Sequence, residues 1–281
     1  MNKKWVIGVS TPYEFLNDEY FEQYNQNGIG SFELSVEALD YNKLDFKKVS
    51  ELAKRHKVDT WSFHLPFYLL DNVCIDVVSE ELRKKSVDFQ SEQIKKAADV
   101  GFKNIVVHPS YEPILSENRK KHFNSSKKSI EELAKVCSQE NVVLAVENLP
   151  RTCLANTSIE LLNLVEGIEN AKICFDVNHL LCEDHLDFLN NIKEKLVTLH
   201  LSDYDYIDER HWLPGEGKIN WKELISGLES VNYNGPLMYE INRGSTPTIL
   251  RDNPVSPSEF AINASQLING LPLTKRGKTL V

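Results

Sequence analysis

Eight short apolar runs recur along the 281-residue chain, and they constrain its fold more than any other feature. Each run is rich in Val, Ile, Leu and Phe and spans only a few residues, which is typical of parallel strands that are buried on both faces. The runs therefore predict eight β-strands. They are 5–10, 31–37, 60–66, 104–110, 142–149, 172–179, 196–203 and 236–241.

Helical patterns, with apolar residues three and four positions apart, lie between most of these runs. Thr157, followed by Glu160, is typical of a helix start, and Gly101 is typical of a helix end. Strict alternation of strands and helices implies a parallel sheet, and eight such units in one chain of this size match a (β/α)8 barrel. The sequence does not define the helices after the first and sixth strands. The predicted helices are 46–56, 80–100, 125–140, 157–165, 221–231 and 256–267.

An open, doubly wound sheet is the alternative fold. It usually carries a glycine-rich turn after its first strand, and Gly8 and Pro12 do not form a GxGxxG motif. The sequence therefore predicts an α/β protein with one (β/α)8 TIM barrel domain over 1–270. Residues 271–281 are predicted to be a basic C-terminal tail, and 242–254 is a long loop that either covers a pocket or contacts another subunit.

Charge and cysteine content narrow the class of function. The formal net charge of −9 repels nucleic-acid phosphate at long range, so a nucleic-acid partner is disfavoured. The sequence shows neither a signal-peptide pattern nor an apolar stretch long enough to cross a membrane. The five cysteines are odd in number and form no CxxC pair, which predicts free thiols in a cytoplasmic protein.

Acidic residues and histidines gather at the predicted strand ends, where the active site of a barrel lies. Seven of the eight ends carry His, Asp or Glu, far more than chance placement of 41 acidic residues and 8 histidines would give. Any one of these histidines alone is more simply a hydrogen-bonded structural residue. The set as a whole predicts a shared metal or catalytic site. Its members are Glu33, Glu37, His64, His108, Glu147, Asp176, His179, His200, Asp203 and Glu240.

Carboxylates inside apolar runs are costly to bury unpaired, and several on one axis raise each other's pKa values. A divalent cation relieves both costs. Carboxylate and imidazole ligands together form a hard oxygen and nitrogen site, which favours Mn²⁺ or Mg²⁺ and also suits Co²⁺ or Zn²⁺.

Four motifs in successive strand regions resemble the xylose isomerase-like, endonuclease IV-like barrel superfamily. They are V-E-N at 146–148, F-D-x-N-H at 175–179, H-L-S-D at 200–203 and R-H-x-x-P-G-E-G-x-I at 210–219. The resemblance spans about 5–270. The superfamily includes sugar isomerases, epimerases, inosose dehydratase and AP endonuclease.

The resemblance to ketose 3-epimerases implies that Glu147 and Glu240 are the acid and base of the reaction. They would move a proton next to a carbonyl of a sugar, a sugar phosphate or a related polyol or keto compound, through a metal-stabilised enediolate. The implied metal ligands are Glu147, Asp176, His200 and Glu240. The implied substrate-binding residues are His64, His108, His179, Arg210 and His211. These epimerases carry an Arg shortly after the strand-seven His, where this chain has His211.

The same superfamily supports a second interpretation, in which three zinc ions hydrolyse a phosphodiester as in endonuclease IV. The additional metal ligands it implies are His64, His108, His179, Glu209 and His211, with Glu209 in place of an Asp. The acidic net charge and the lack of a basic, aromatic-rich loop disfavour DNA repair. We therefore expect an isomerase or epimerase. An inosose-type dehydratase and a binding protein without activity remain alternatives, and such barrels often form homodimers.

Three arginines follow predicted strands and bear on the substrate. Arg151, Arg210 and Arg243 could clamp a phosphate or a carboxylate, or they could be solvated loop residues. The sequence leaves open whether the substrate is a free sugar or a sugar phosphate.

Overall fold

The structure is a computed structural model that describes residues 5–36, 38–68 and 74–281, without the side chains of 38 and 39. Eight parallel strands form one sheet in which chain neighbours are also spatial neighbours. Glu37, one of the candidate strand-end acids, lies outside the described residues. The strands are β1 (Ile7–Pro12), β2 (Ile29–Ser35), β3 (Asp59–His64), β4 (Asn104–Val107), β5 (Val143–Glu147), β6 (Ala171–Asp176), β7 (Leu196–His200) and β8 (Leu237–Tyr239).

The sheet closes on itself into a barrel. β1 pairs with both β2 and β8. Leu201, the residue after β7, completes the ring, because its N–H donates to the carbonyl of Met238 at 2.7 Å and its carbonyl accepts from the N–H of Glu240 at 3.1 Å. The predicted (β/α)8 barrel is confirmed, and the open, doubly wound alternative is wrong, because an open sheet would leave two unpaired edges.

Eight helices surround the barrel in the described part of the chain, and the six predicted helices are among them. Thr157 caps its helix as expected, with its hydroxyl accepting from the N–H of Glu160. Side chains of Asn17 and Asp184 cap the two helices that the sequence did not define. The helices are α1 (Asp18–Gln26), α2 (Phe46–Arg55), α3 (Glu80–Asp99), α4 (Arg119–Gln139), α5 (Ser158–Val165), α6 (His185–Ile192), α7 (Trp221–Ser230) and α8 (Pro257–Ile268).

Helix α4 begins earlier than the apolar pattern predicts. Its first turns are polar and carry no helical periodicity, but Arg119 holds them in place. The guanidinium donates to both carboxylate oxygens of Glu160 at 2.8 and 2.6 Å, and to the carbonyls of Thr152 and Cys153. This pairing across the βα loops fixes a helix start that local sequence does not specify.

Packing inside the barrel is tight and partly polar. The large apolar core lies between the strands and the helices and includes Ile105, Leu144 and Phe175. Inside the lumen, a side chain at Gly8 would come within 2.7 Å of Ser31 and 2.8 Å of Met238. A lumen this crowded positions the strand ends rigidly, which is a requirement for a precise site.

The C-terminal tail is tied to the long loop after β8. Its short strand β10 (Lys278–Thr279) pairs with β9 (Ile249–Leu250) in that loop. The buried guanidinium of Arg251 donates to both oxygens of Glu216, which also accepts from the N–H groups of Arg276 and Gly277. Loop and tail therefore form one unit. In the described part of the chain, every helix is too short or too polar to cross a membrane.

Candidate metal centre and substrate cavity

Four predicted ligands meet at the carboxyl ends of β5 to β8. Glu147, Asp176 and His200 end their strands and are fully buried, and Glu240 follows β8 with its side chain 24% exposed. One ligand atom from each lies within 4.8 Å of the others. Nδ1 of His200 is 3.2 Å from Glu147, 3.3 Å from Glu240 and 3.9 Å from Asp176. The barrel therefore brings three carboxylates and one imidazole to one point.

Asp176 provides a direct test of whether these residues fit a metal ion. Its Oδ1 accepts from the N–H of Asn178 at 2.7 Å, but its buried Oδ2 has no hydrogen-bond partner among the described residues. Burial raises the pKa of Asp176 to about 7. A buried carboxylate oxygen without a partner is costly, and a cation at the centre of the cluster would satisfy it. The four residues fit a divalent metal.

Glu33 orients the imidazole of the cluster, a role that the sequence did not reveal. It is fully buried in the lumen, at an irregularity in the pairing of β2 with β3. Its carboxylate lies 3.0 Å from Nε2 of His200 and accepts from the hydroxyls of Ser10 at 3.0 Å and Ser62 at 2.7 Å. A proton on Nε2 leaves the lone pair of Nδ1 facing the three carboxylates, as a metal ligand requires.

We expect Glu33→Gln to weaken the affinity for a divalent metal by about 10- to 100-fold, because it removes the negative charge that supports His200. Competition with a fluorescent chelator measures this affinity. Glu51→Gln, on the exposed face of α2, removes the same charge far from the site and serves as the control. An affinity unchanged in Glu33→Gln would show that Glu33 only fills the lumen.

Asp203, the other acidic residue near β7, has a structural role. Its carboxylate accepts from the N–H groups of Gly215 at 2.8 Å and Ile219 at 3.1 Å, and from the indole of Trp221 at 2.8 Å. These three hydrogen bonds fix the conformation of the P-G-E-G loop at 214–217. Gly217 must be a glycine, because a Cβ there would lie 2.3 Å from Asp203.

The five additional candidate ligands flank the central cluster in two groups. Nε2 of His64 and Nε2 of His108 each lie 3.2 Å from Oε2 of Glu147. On the other side, His179 lies 3.2 Å from Glu209 and forms a second group with it and His211. All nine positions named from the sequence are therefore brought together, as three adjacent groups.

The carboxylates set the protonation of the flanking histidines. Burial opposes a charge on His64, but the hydrogen bond that its imidazole donates to Glu147 outweighs this effect and raises the pKa of His64 to about 9. Burial also opposes a charge on His179, yet Asp176 and Glu209 raise its pKa to about 10. For His108 burial dominates and lowers the pKa. A metal ion entering either flanking group would have to displace protons.

A cavity of about 320 Å³ opens above the cluster. This volume suits a small molecule. The ring of Phe67 forms part of its mouth and stacks on His108, with ring centres 5.0 Å apart. Its walls include Glu240, His64, His108, His179, His211 and Phe67.

Arg210, which the resemblance implied as a substrate-binding residue, and Arg243, for which a ligand clamp was one alternative, both contact other residues of the protein. Arg210 donates to Asp205 through Nε at 3.0 Å and Nη2 at 2.9 Å, and it is not among the described residues that line the cavity. Arg243 packs over the rings of Tyr20 and Phe260. His211, beside Arg210, does line the cavity.

A family model described as xylose isomerase-like TIM barrel matches residues 21–262. The chain belongs to this family. An uncharacterized protein of Methanocaldococcus jannaschii is 27% identical over 254 residues, covering 84% of this chain and 85% of that protein. A D-psicose 3-epimerase of Enterocloster bolteae is 29% identical over 119 residues, covering 40% of this chain and 38% of that enzyme.

The barrel is similar in fold to a solved structure whose description refers to a sugar epimerase. The crystal structure of a D-tagatose 3-epimerase-like protein has a TM-score of 0.78 and 23% identity, covering 94% of this chain and 96% of that one. At this identity the similarity concerns the fold. The fold is epimerase-like, and a D-psicose 3-epimerase is among the relatives of the chain.

Proposed function

We propose that the protein is a divalent-metal-dependent isomerase or epimerase that acts on a sugar or a related polyol or keto compound. One observation carries the proposal. Glu147, Asp176, His200 and Glu240 converge at the base of a small-molecule cavity, and Glu240 also forms part of its wall. Three carboxylates and one imidazole favour Mn²⁺ or Mg²⁺.

Glu240 is the group that this chain presents to a substrate carbon. Burial opposes its charge, but in the metal-free protein the charged imidazole of His200 outweighs that effect and keeps the pKa of Glu240 well below its usual range. The carboxylate is therefore ionised at neutral pH and can accept a proton from a carbon next to a carbonyl. A divalent ion, when bound, would neutralise the negative charge that then develops on the substrate oxygens.

Glu147 is the proposed partner on the other face of the substrate. It is completely buried, and its Oε2 meets His64 and His108, both of which line the cavity. Burial opposes its charge, but His200 and His108 hold the pKa of Glu147 well below its usual range. The second proton transfer would therefore take place where these two imidazoles connect Glu147 to the cavity.

The proposal predicts that the metal-loaded protein incorporates one deuterium from D₂O at a carbon next to the carbonyl of a ketose. Mass spectrometry and NMR of a panel of ketoses detect this exchange without knowledge of the product. The chelated protein should lose it, and restored Mn²⁺ should return it. A panel without exchange in the presence of Mn²⁺, Mg²⁺ and Co²⁺ would reject the proposal.

Phosphodiester hydrolysis by a multinuclear zinc site is a second candidate function. The two flanking groups favour it, because His64 and His108 with Glu147, and His179 and His211 with Glu209, each bring three ligand atoms within 4.8 Å. The metal content of the purified protein separates the candidates. One ion per chain supports the isomerase, whereas three zinc ions per chain support the phosphodiesterase.

A further inference from the structure

Arg151, in the cavity wall, is surrounded by carboxylates. Its side chain is 33% exposed, and the guanidinium contacts three acidic residues from two other segments of the chain. Nη1 donates to Asp208 at 2.6 Å, Nη2 donates to Glu209 at 3.0 Å, and Nε donates to Glu112 at 2.8 Å. Nη2 also donates to Glu112.

These bonds leave Arg151 little capacity for a ligand. A guanidinium has five N–H donors in a planar fork. Nη2 already donates to Glu112 and Glu209, and Nη1 already donates to Asp208. A bidentate pair between these two nitrogens and a phosphate would have to replace such bonds. A phosphate would have to displace these carboxylates and would then lie against them, and like charges at such distances repel strongly in a partly buried site.

The described part of the cavity wall offers a phosphate no second guanidinium and no ammonium group. Among the described residues that line the cavity, Arg151 is the one lysine or arginine.

With one divalent ion bound, the site carries a net negative charge. Seven carboxylates lie in the cavity wall, beneath it or against Arg151, and they are opposed by one guanidinium and one divalent ion. Protonation of His64 and His179 would still leave the site negative. The carboxylates are Glu33, Glu112, Glu147, Asp176, Asp208, Glu209 and Glu240.

We propose that Glu112 and Asp208, by neutralising Arg151, act as a charge filter that restricts the cavity to uncharged substrates. This inference rests on the proposed function and narrows it: the substrate is a free keto sugar or polyol, and phosphorylated sugars are excluded. The filter also depends on metal number, because three divalent ions would supply enough positive charge to accept a phosphodiester. A protein that binds one divalent ion per chain should therefore prefer uncharged substrates, and one that binds three should accept a phosphodiester.

The test compares a ketohexose with its 6-phosphate in the metal-loaded wild type and in the double variant Glu112→Gln/Asp208→Asn. Glu209 is left unchanged because it contacts His179. The wild type should exchange deuterium into the free ketose with a kcat/KM at least tenfold above that for the phosphate. The double variant removes two of the three carboxylates that pair with Arg151, so the ratio of kcat/KM for the phosphate to that for the free ketose should rise at least tenfold.

The double variant Glu51→Gln/Glu131→Gln is the matched control, because it removes two negative charges from the exposed faces of α2 and α4. It should leave the ratio within twofold of the wild type. Calorimetric titration with inorganic phosphate adds a readout that needs no turnover, and the Glu112→Gln/Asp208→Asn variant should bind phosphate at least tenfold more tightly than the wild type.

The two possible failures are distinguishable. A wild type that prefers the phosphorylated ketose, or a filter variant with unchanged phosphate binding, would overturn the charge filter and leave the isomerase proposal standing. Absence of exchange with every ketose would reject the isomerase, and the phosphate titration would still decide whether the filter exists.

Discussion

Replacing Glu240 by Gln is expected to lower the rate of deuterium exchange at the substrate carbon by about 10²- to 10⁴-fold, the usual contribution of a positioned acid or base. Gln has the size of Glu but cannot accept the proton. Glu240 is one of the four clustered ligands and lines the cavity. The loss should therefore fall mainly on kcat, with a smaller change in KM.

The measurement must separate loss of the base from loss of the metal. Metal content of Glu240→Gln is determined in parallel, and the rate is measured at saturating Mn²⁺. Glu223→Gln, an exposed residue of α7, is the control for a change of one charge. Exchange that persists in metal-loaded Glu240→Gln at near the wild-type rate would refute its role as acid or base.

The fold could be predicted because its signals are local and repeated. Each strand of the barrel is a short apolar run, and most helices carry their own periodicity and caps, such as Thr157. The start of α4 could not be predicted, since it depends on Arg119 and Glu160, which are 41 residues apart. The packing of the tail depends in the same way on Glu216 and the distant N–H groups of Arg276 and Gly277.

The candidate ligands could be named from the sequence because barrel topology brings all strand ends to one face. Their individual roles could not, since these depend on side-chain directions across the lumen. Glu33 and His200 are 167 residues apart and belong to β2 and β7. Likewise, nothing in the sequence near Arg151 shows that Glu112 and Asp208 neutralise it.

Asp176→Asn is expected to have opposite effects on stability with and without metal. Burial raises the pKa of Asp176 to about 7, above its ordinary value of 3.8. Between these pH values the folded protein binds more protons than the unfolded chain, so the free energy of unfolding of the metal-free protein falls as pH rises through this window. Asn has nearly the same shape, can still accept from the N–H of Asn178, and avoids this cost.

At pH 8 and in EDTA, the variant should therefore be more stable than the wild type by on the order of 2 kcal/mol, or roughly 4 °C in Tm. Near pH 4 the difference should vanish, because Asp176 is then protonated in the folded wild type. Saturating Mn²⁺ should reverse the order, since the wild type gains about 4 kcal/mol at a thousandfold excess over Kd and the variant binds more weakly.

Thermal unfolding scans at pH 4 and pH 8, each with EDTA and at pH 8 also with Mn²⁺, measure all of these differences. Asp252→Asn, at an exposed position of the loop after β8, is the control and should change neither Tm nor the response to metal. A metal-free Asp176→Asn protein that is less stable than the wild type at pH 8 would show that the imidazole of His179, 3.7 Å from Oδ2, compensates the cost of burying the carboxylate. Oδ2 of Asp176 would then not require a metal ion, because the metal is inferred from the cost of burying a carboxylate oxygen that has no hydrogen-bond partner among the described residues.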